Sequence, residues 1–384
     1  MTTASLTWAG VHARRLERHG LITPVPAARL VDQVGGICGA HAQVMSAAEL
    51  SIGVRVAGVT RARVREALWT ERSLVKTYGP RGTVHLLPAS DLPLWTGALA
   101  EALAPPRGDR GARLTPDQVE EVVAAVGAAL EDAELTAEEL DAEVVARTGP
   151  WAGDLVVPAF TGMWPRWRQL IAEAARRGAL CFGPDRGRLV TYTNPRRWLP
   201  GFRPAEGKAA LAEVGRRYLH AYGAATPQAF ARWLGGTPGR AVELFTELGD
   251  ELERVEVEGA EAWVVAGDTE APAGPPRGVR LLPYYDVYGV GCHPRERVFP
   301  GPAAERALVR GQAGPVPVLL VDGVVAGVWH QRRFPRTLAL TVEAFGELST
   351  AQRRELDEQA QRIGAFQEAQ PNLTLGAVRA GRHL

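Results

Sequence analysis

One order of elements recurs along this chain: helix, helix, helix, then two short strands around a turn, about three times, before the pattern changes to short strands from Gly278 onward. The repeats share hydrophobic and turn patterning but not sequence, so each is one supersecondary unit of the same kind. Three helices followed by a ribbon is the order of the winged helix-turn-helix. The expected fold class is therefore α+β, with winged-helix units at 1–112, 113–203 and 204–270 and a small C-terminal β-domain with a late helix at 277–384.

Local signals place the boundaries. Leu6 to Leu21 has helical spacing and stops at Gly20, Thr60 is placed to cap a helix running to Glu71, and Ser73 to Tyr78 with Thr83 to Leu87 alternate as two strands around Gly79-Pro80-Arg81-Gly82. Thr115-Pro116-Asp117 opens the second unit, Thr136 with Glu139 reads as a capping box, Trp164 to Arg177 reads as a helix closed by Gly178, and Ala179 to Thr193 is its ribbon. Thr226-Pro227 and Thr237-Pro238 start helices of the third unit after Ala205 to Tyr222, and strands are expected near Arg254 to Val257 and Ala262 to Ala266. Ala271 to Pro276 reads as a linker. Beyond it come strands Val279 to Leu282, Val316 to Val321, Val324 to His330 and Thr337 to Val342, then a helix opened by Ser349 and Gln352.

Length and composition narrow the function. A chain of 384 residues with 46% hydrophobic and 23% charged content is globular and large enough for several packed units. The absence of a long apolar run and of a signal-peptide pattern in Met1 to Leu16 points to a cytoplasmic protein with no membrane partner. Cys38, Cys181 and Cys292 are far apart and lack the spacing of a zinc or redox pair, so neither a metal nor a cofactor is expected. The net charge of +1 excludes a uniformly basic coat, yet arginines crowd 55–81 and 166–203 while lysine occurs only at 76 and 208. Guanidinium suits bidentate phosphate contacts; a high-GC genome would also enrich arginine without any such role.

The segment Gly36-Ile37-Cys38-Gly39-Ala40-His41-Ala42-Gln43, ahead of Ser46 to Ser51, carries the candidate chemistry. In extended backbone His41 and Gln43 point the same way and Ala42 the other. Two readings stay open: His41 caps a helix and Gln43 lies in solvent, or the pair holds one water. Glu49, a few residues on, is a candidate carboxylate for a cationic sugar but is expected to be structural.

Nearly the whole chain resembles the AlkZ-type winged-helix DNA glycosylases. The resemblance rests on Trp8 to Leu21, on His41-Ala42-Gln43 with Ser46 to Leu50, on Lys76-Thr77-Tyr78-Gly79-Pro80-Arg81-Gly82-Thr83-Val84-His85-Leu86-Leu87-Pro88, and on Leu281-Leu282-Pro283-Tyr284-Tyr285-Asp286-Val287-Tyr288; the Arg81 to Pro88 run is the most specific. The resemblance implies three winged-helix units and a C-terminal β-barrel around a DNA channel, with hydrolysis of the N-glycosidic bond of N7-alkylated purines in double-stranded DNA. It implies catalytic roles for His41 and Gln43. The family commonly has Gln at the first of these positions, and His41 departs from it: either neutral imidazole positions and deprotonates the water, or the chain has lost rate and kept binding.

Candidate DNA contacts are Arg81 at the first ribbon's tip and Arg332 and Arg333 in a loop, Gln331 to Arg336, between two strands of the last domain. Arg61, Arg63 and Arg65 lie on one helix but do not all share a face. The expected protein is a monomeric, monofunctional glycosylase serving base-excision repair and resistance to a DNA-alkylating natural product. A non-catalytic winged-helix DNA binder is the alternative, and a protein-interaction scaffold a third reading.

Overall fold

The structure is a computed structural model and describes residues 4–104, 112–159, 162–270, 272 and 274–379. The expected linker is therefore only partly visible, since Ala271 and Ala273 lie outside the described residues. The fold is mixed α and β, and the chain divides into two compact units, Met1–Glu66 with Gly215–Leu384, and Ala67–Val214.

In the first unit the capping chemistry does what its residues dictate. Thr7, Thr226, Thr237 and Ser349 each accept a hydrogen bond from a backbone N–H of the helix that follows, satisfying a donor that has no partner within the helix. These helices run Trp8–Arg18, Pro227–Leu234, Pro238–Leu248 and Thr350–Phe366. Ala4–Leu6 pairs in parallel with Leu252–Val257, which in turn pairs antiparallel with Ala260–Val265. Leu6, Val11, Ala224, Val255, Val257, Ala262 and Val264 bury one another there, so the chain's first strand closes a sheet formed some 250 residues later. The C-terminal part is a half-barrel of five strands, Val279–Leu282, Val318–Val321, Val324–Arg333, Thr337–Ala344 and Gln370–Leu375, in that order across the sheet. Thr350–Phe366 ends against the helix Met45–Gly53, where a side chain on Gly53 would come within 2.3 Å of the Phe366 ring.

In the second unit, Leu74–Tyr78 and Val84–Pro88 form an antiparallel hairpin whose tip, Pro80–Gly82, holds Arg81 at φ 61°. Thr115 with Gln118 and Thr136 with Glu139 make full capping boxes at Pro116–Ala129 and Ala137–Thr148. The expected helix from Trp164 to Arg177 is shorter: Met163–Pro165 is a strand paired with Leu155–Pro158, and α-helix spans only Ile171–Arg176 after a 3₁₀ turn, Arg166–Leu170. Proline at 165 disfavours the α conformation for Trp164, which explains the correction. No helix among the described residues is long and apolar enough to cross a membrane, and all three cysteines are buried as free thiols.

Two buried histidines make stability depend on acid. Burial first, then nearby Arg55, holds the fully covered His19 down to about 3, and burial with Arg15 holds His12 down to about 4. Both bind a proton in the unfolded chain below about pH 6.5 but not in the fold, so stability is full above that value and falls as pH drops toward the folded values. At pH 5 each should cost roughly 2 kcal/mol relative to pH 8. Urea unfolding at the two pH values measures this; equal free energies would contradict it.

Candidate active site

The helix Leu30–Gly36 ends in a Schellman motif: Cys38 N donates to Gly35 O at 2.9 Å and Gly39 N to Val34 O at 2.8 Å, with Cys38 in the left-handed region at φ 61° and Gly39 at φ 96°. The buried Tyr222 hydroxyl donates to Ile37 O at 2.9 Å and fixes the same turn. The chain leaves it as the strand Ala40–His41 and bends through Ala42-Gln43 into the helix Met45–Gly53.

His41 is 6% exposed, and its ring stacks on Tyr285 with centroids 5.0 Å apart and planes 21° from parallel. Gln43 is exposed. The helix that follows has Val44 at its N-cap and no side-chain cap, so capping is not what holds His41. The segment thus carries an imidazole packed on an aromatic face and, two residues on, a carboxamide open to solvent.

Beneath this segment lies a buried ion pair. Asp286 receives Arg55 Nη1 and Nη2 at 2.7 Å each, the Ser51 hydroxyl at 2.7 Å and its own helix's Tyr288 N at 3.0 Å; Arg55 and Asp286 are both buried. Burial raises the Asp286 carboxyl, but Arg55 and these hydrogen bonds more than reverse it and hold it below the usual carboxylate range. Ser51 lies on the helix that follows Gln43 and Arg55 just beyond its end, while Asp286 follows Tyr285, so one network ties both flanks of the stacked pair.

The other expected residues are placed as follows. Glu49 is fully buried and receives Arg61 Nε at 2.9 Å and Arg65 Nε at 2.6 Å, which accounts for two of the three arginines on that helix. Arg63 pairs with Glu66 at 3.3 Å. Arg332 and Arg333 are exposed, but they are not in a loop: the strand Val324–Arg333 carries them, paired with Ala339 and Leu338. Only Phe334, Pro335 and Arg336 form the turn, because ladder pairing extends the strand past its apolar part. The Arg332 guanidinium lies 5.1 Å from the Phe334 ring, and Arg333 donates to Phe334 O and to Gln367 O. Arg81 is half-buried in the second unit. Lys76, in the same hairpin, sits 4.6 Å from the Phe182 ring, and burial lowers its ammonium while Asp185 opposes this. Spacing could not expose Tyr285 as His41's neighbour; the only sequence signal was its place in the Pro283-Tyr284-Tyr285-Asp286 run.

A chain with these elements is a DNA glycosylase, a hydrolase of N-glycosyl bonds. Residues 34–366 match the family described as DNA glycosylase AlkZ-like, and the chain belongs to that family. It is 34% identical over 361 residues to an interstrand DNA cross-link repair glycosylase of Streptomyces sahachiroi, a match taking in 88% of this chain and 93% of that protein. The solved structure of the Streptomyces sahachiroi DNA glycosylase AlkZ superimposes with a TM-score of 0.79 at 29% identity, over 97% of this chain and 100% of that one. A non-catalytic DNA binder or interaction scaffold is thereby set aside.

Proposed function

We propose that this glycosylase hydrolyses the bond between deoxyribose C1′ and N9 of bulky N7-alkylated purines in duplex DNA, with His41 and Gln43 holding the attacking water. The observation that carries the reading is the His41-Ala42-Gln43 segment itself, in which a packed imidazole adjoins an exposed carboxamide within an AlkZ-like chain. N7 alkylation makes the purine cationic. When C1′–N9 breaks, the bonding electron pair passes into the purine and neutralises that charge, so the base departs without a general acid. The water oxygen then bonds to C1′ and its proton passes to neutral His41, while Gln43 orients the water through its amide; positioning and modest base catalysis are sufficient.

Residues 1–112, 113–203 and 204–270 are read as three winged-helix units, followed by a β-domain at 277–384, in a protein that binds duplex DNA as a monomer. Arg81 contacts phosphate, and Arg332 and Arg333, beside exposed Phe334, reach the minor groove. The similarity to an interstrand cross-link repair glycosylase supports bulky substrates, cross-links included, and a role in resistance to a DNA-alkylating natural product. With lysine only at 76 and 208, no amine is assigned to attack C1′, so the product is an abasic site and not a nicked strand.

The test is mass spectrometry of the products from a duplex carrying one bulky N7-alkylguanine. A freed purine bearing the adduct, with an alkali-labile abasic strand and no adduct trapped by borohydride, is expected. Release of unmodified or small methylated bases alone would overturn the substrate assignment, and a borohydride-trapped protein would overturn the monofunctional one.

A further inference from the structure

We infer that Tyr285 is a positioning residue for His41, its phenol ring being the wall that sets the plane of the imidazole. This rests on the proposed role of His41. The argument begins with freedom: the terminal torsion of histidine is broad and roughly two-fold, so an imidazole without a packing partner samples many planes. Against Tyr285, at 5.0 Å and 21°, one plane is selected for the ring. A water-orienting nitrogen needs that restraint, because catalysis by positioning is lost when the acceptor wanders by an ångström.

Tyr285 is itself held from several sides. Its backbone adopts the left-handed region at φ 55°, a conformation that costs free energy for a non-glycine residue and persists only where the surroundings impose it. Its N–H donates to Gly314 O at 2.9 Å, and Gly314 must lack a side chain, since a Cβ there would meet the Tyr285 ring at 2.6 Å. Asp286, next in the chain, is locked to Arg55 and Ser51 at the far end of the helix that His41 precedes. Strain, close approach and ion pair thus converge on the placement of one ring.

The test uses full-length protein and an N7-alkylguanine duplex under single-turnover conditions. Tyr285→Leu keeps the Cβ and the backbone cost but removes the aromatic face; base release should slow about tenfold with duplex affinity unchanged, as expected for loss of one aromatic pair. Tyr285→Phe keeps the stack and should restore the rate to within about twofold. A spectroscopic readout separates positioning from folding: the His41 imidazole protons, assigned by their absence in His41→Ala, should show a ring-current shift in the wild type and in Tyr285→Phe that is lost in Tyr285→Leu. Wild-type release by Tyr285→Leu while His41→Ala is slow would overturn the inference alone. Equal impairment of Tyr285→Phe and Tyr285→Leu would do so too, assigning the effect to the hydroxyl. Wild-type release by His41→Ala would remove the proposed site and this inference with it.

Discussion

Alanine in place of His41 is expected to slow release of an N7-alkylguanine by about 100- to 10,000-fold, the range that one well-placed general base contributes. Duplex affinity should stay within about twofold, because binding to DNA is dominated by phosphate contacts that a 6%-exposed imidazole does not make. Gln43→Ala should cost less, about tenfold to 100-fold, since an amide orients the water without taking its proton. The double variant should be little slower than His41→Ala, because two groups acting on one water are not additive. His41→Gln is the informative conservative change: the carboxamide oxygen still accepts a hydrogen bond but is a poor base. A rate near wild type for His41→Gln means that orientation is the whole contribution; a rate near His41→Ala means that proton transfer is. Single-turnover release followed by alkali cleavage measures all four, and an unchanged rate in His41→Ala would remove the imidazole from the mechanism.

What the sequence made legible were features decided within a few residues. The capping boxes at Thr136 and Ser349 and the Thr-Pro helix starts at 115, 226 and 237 are local chemistry, and each stands where its spacing put it. The His41 segment was visible as a pattern, and its Schellman turn depends on Cys38 taking a conformation that glycine more often takes, so that turn was not. Contacts between distant parts of the chain were closed to such reasoning. The parallel pairing of Ala4–Leu6 with Leu252–Val257, the Arg55–Asp286 pair 231 residues apart and the stack of Tyr285 on His41 depend on the tertiary fold. Two errors have the same root. Arg332 and Arg333 read as loop because they are charged and follow an apolar run, yet strand pairing with Leu338 and Ala339 overrides composition. Trp164 read as the start of a helix that Gly178 closes, while pairing with Val157 makes it strand.

The Arg55–Asp286 pair gives the largest expected loss of stability. Each charge is almost fully buried, and the two are joined by two hydrogen bonds of 2.7 Å. Such a pair contributes little net stability compared with two apolar residues, because removing both ions from water offsets most of their attraction. Removing one partner is different, since the remaining charge has neither water nor a counterion. Asp286→Ala should therefore destabilise the unit containing residues 1–66 and 215–384 by about 3–5 kcal/mol. Asp286→Asn should cost less, for its one carboxamide oxygen can still accept from the backbone N–H of Tyr288 and the substitution leaves no cavity. The compensated variant Arg55→Met with Asp286→Leu should recover a large part of the loss, which identifies the unpaired ion and not the missing side-chain volume as the cause. Urea unfolding of Arg55→Met, Asp286→Leu and the double variant forms the cycle; a double variant as unstable as the sum of its parts would refute the account. Because Asp286 also fixes the backbone beside Tyr285, the compensated protein should fold yet release base more slowly than wild type. Folding and excision then separate, which distinguishes the pair's effect on the placement of Tyr285 from the free energy it adds.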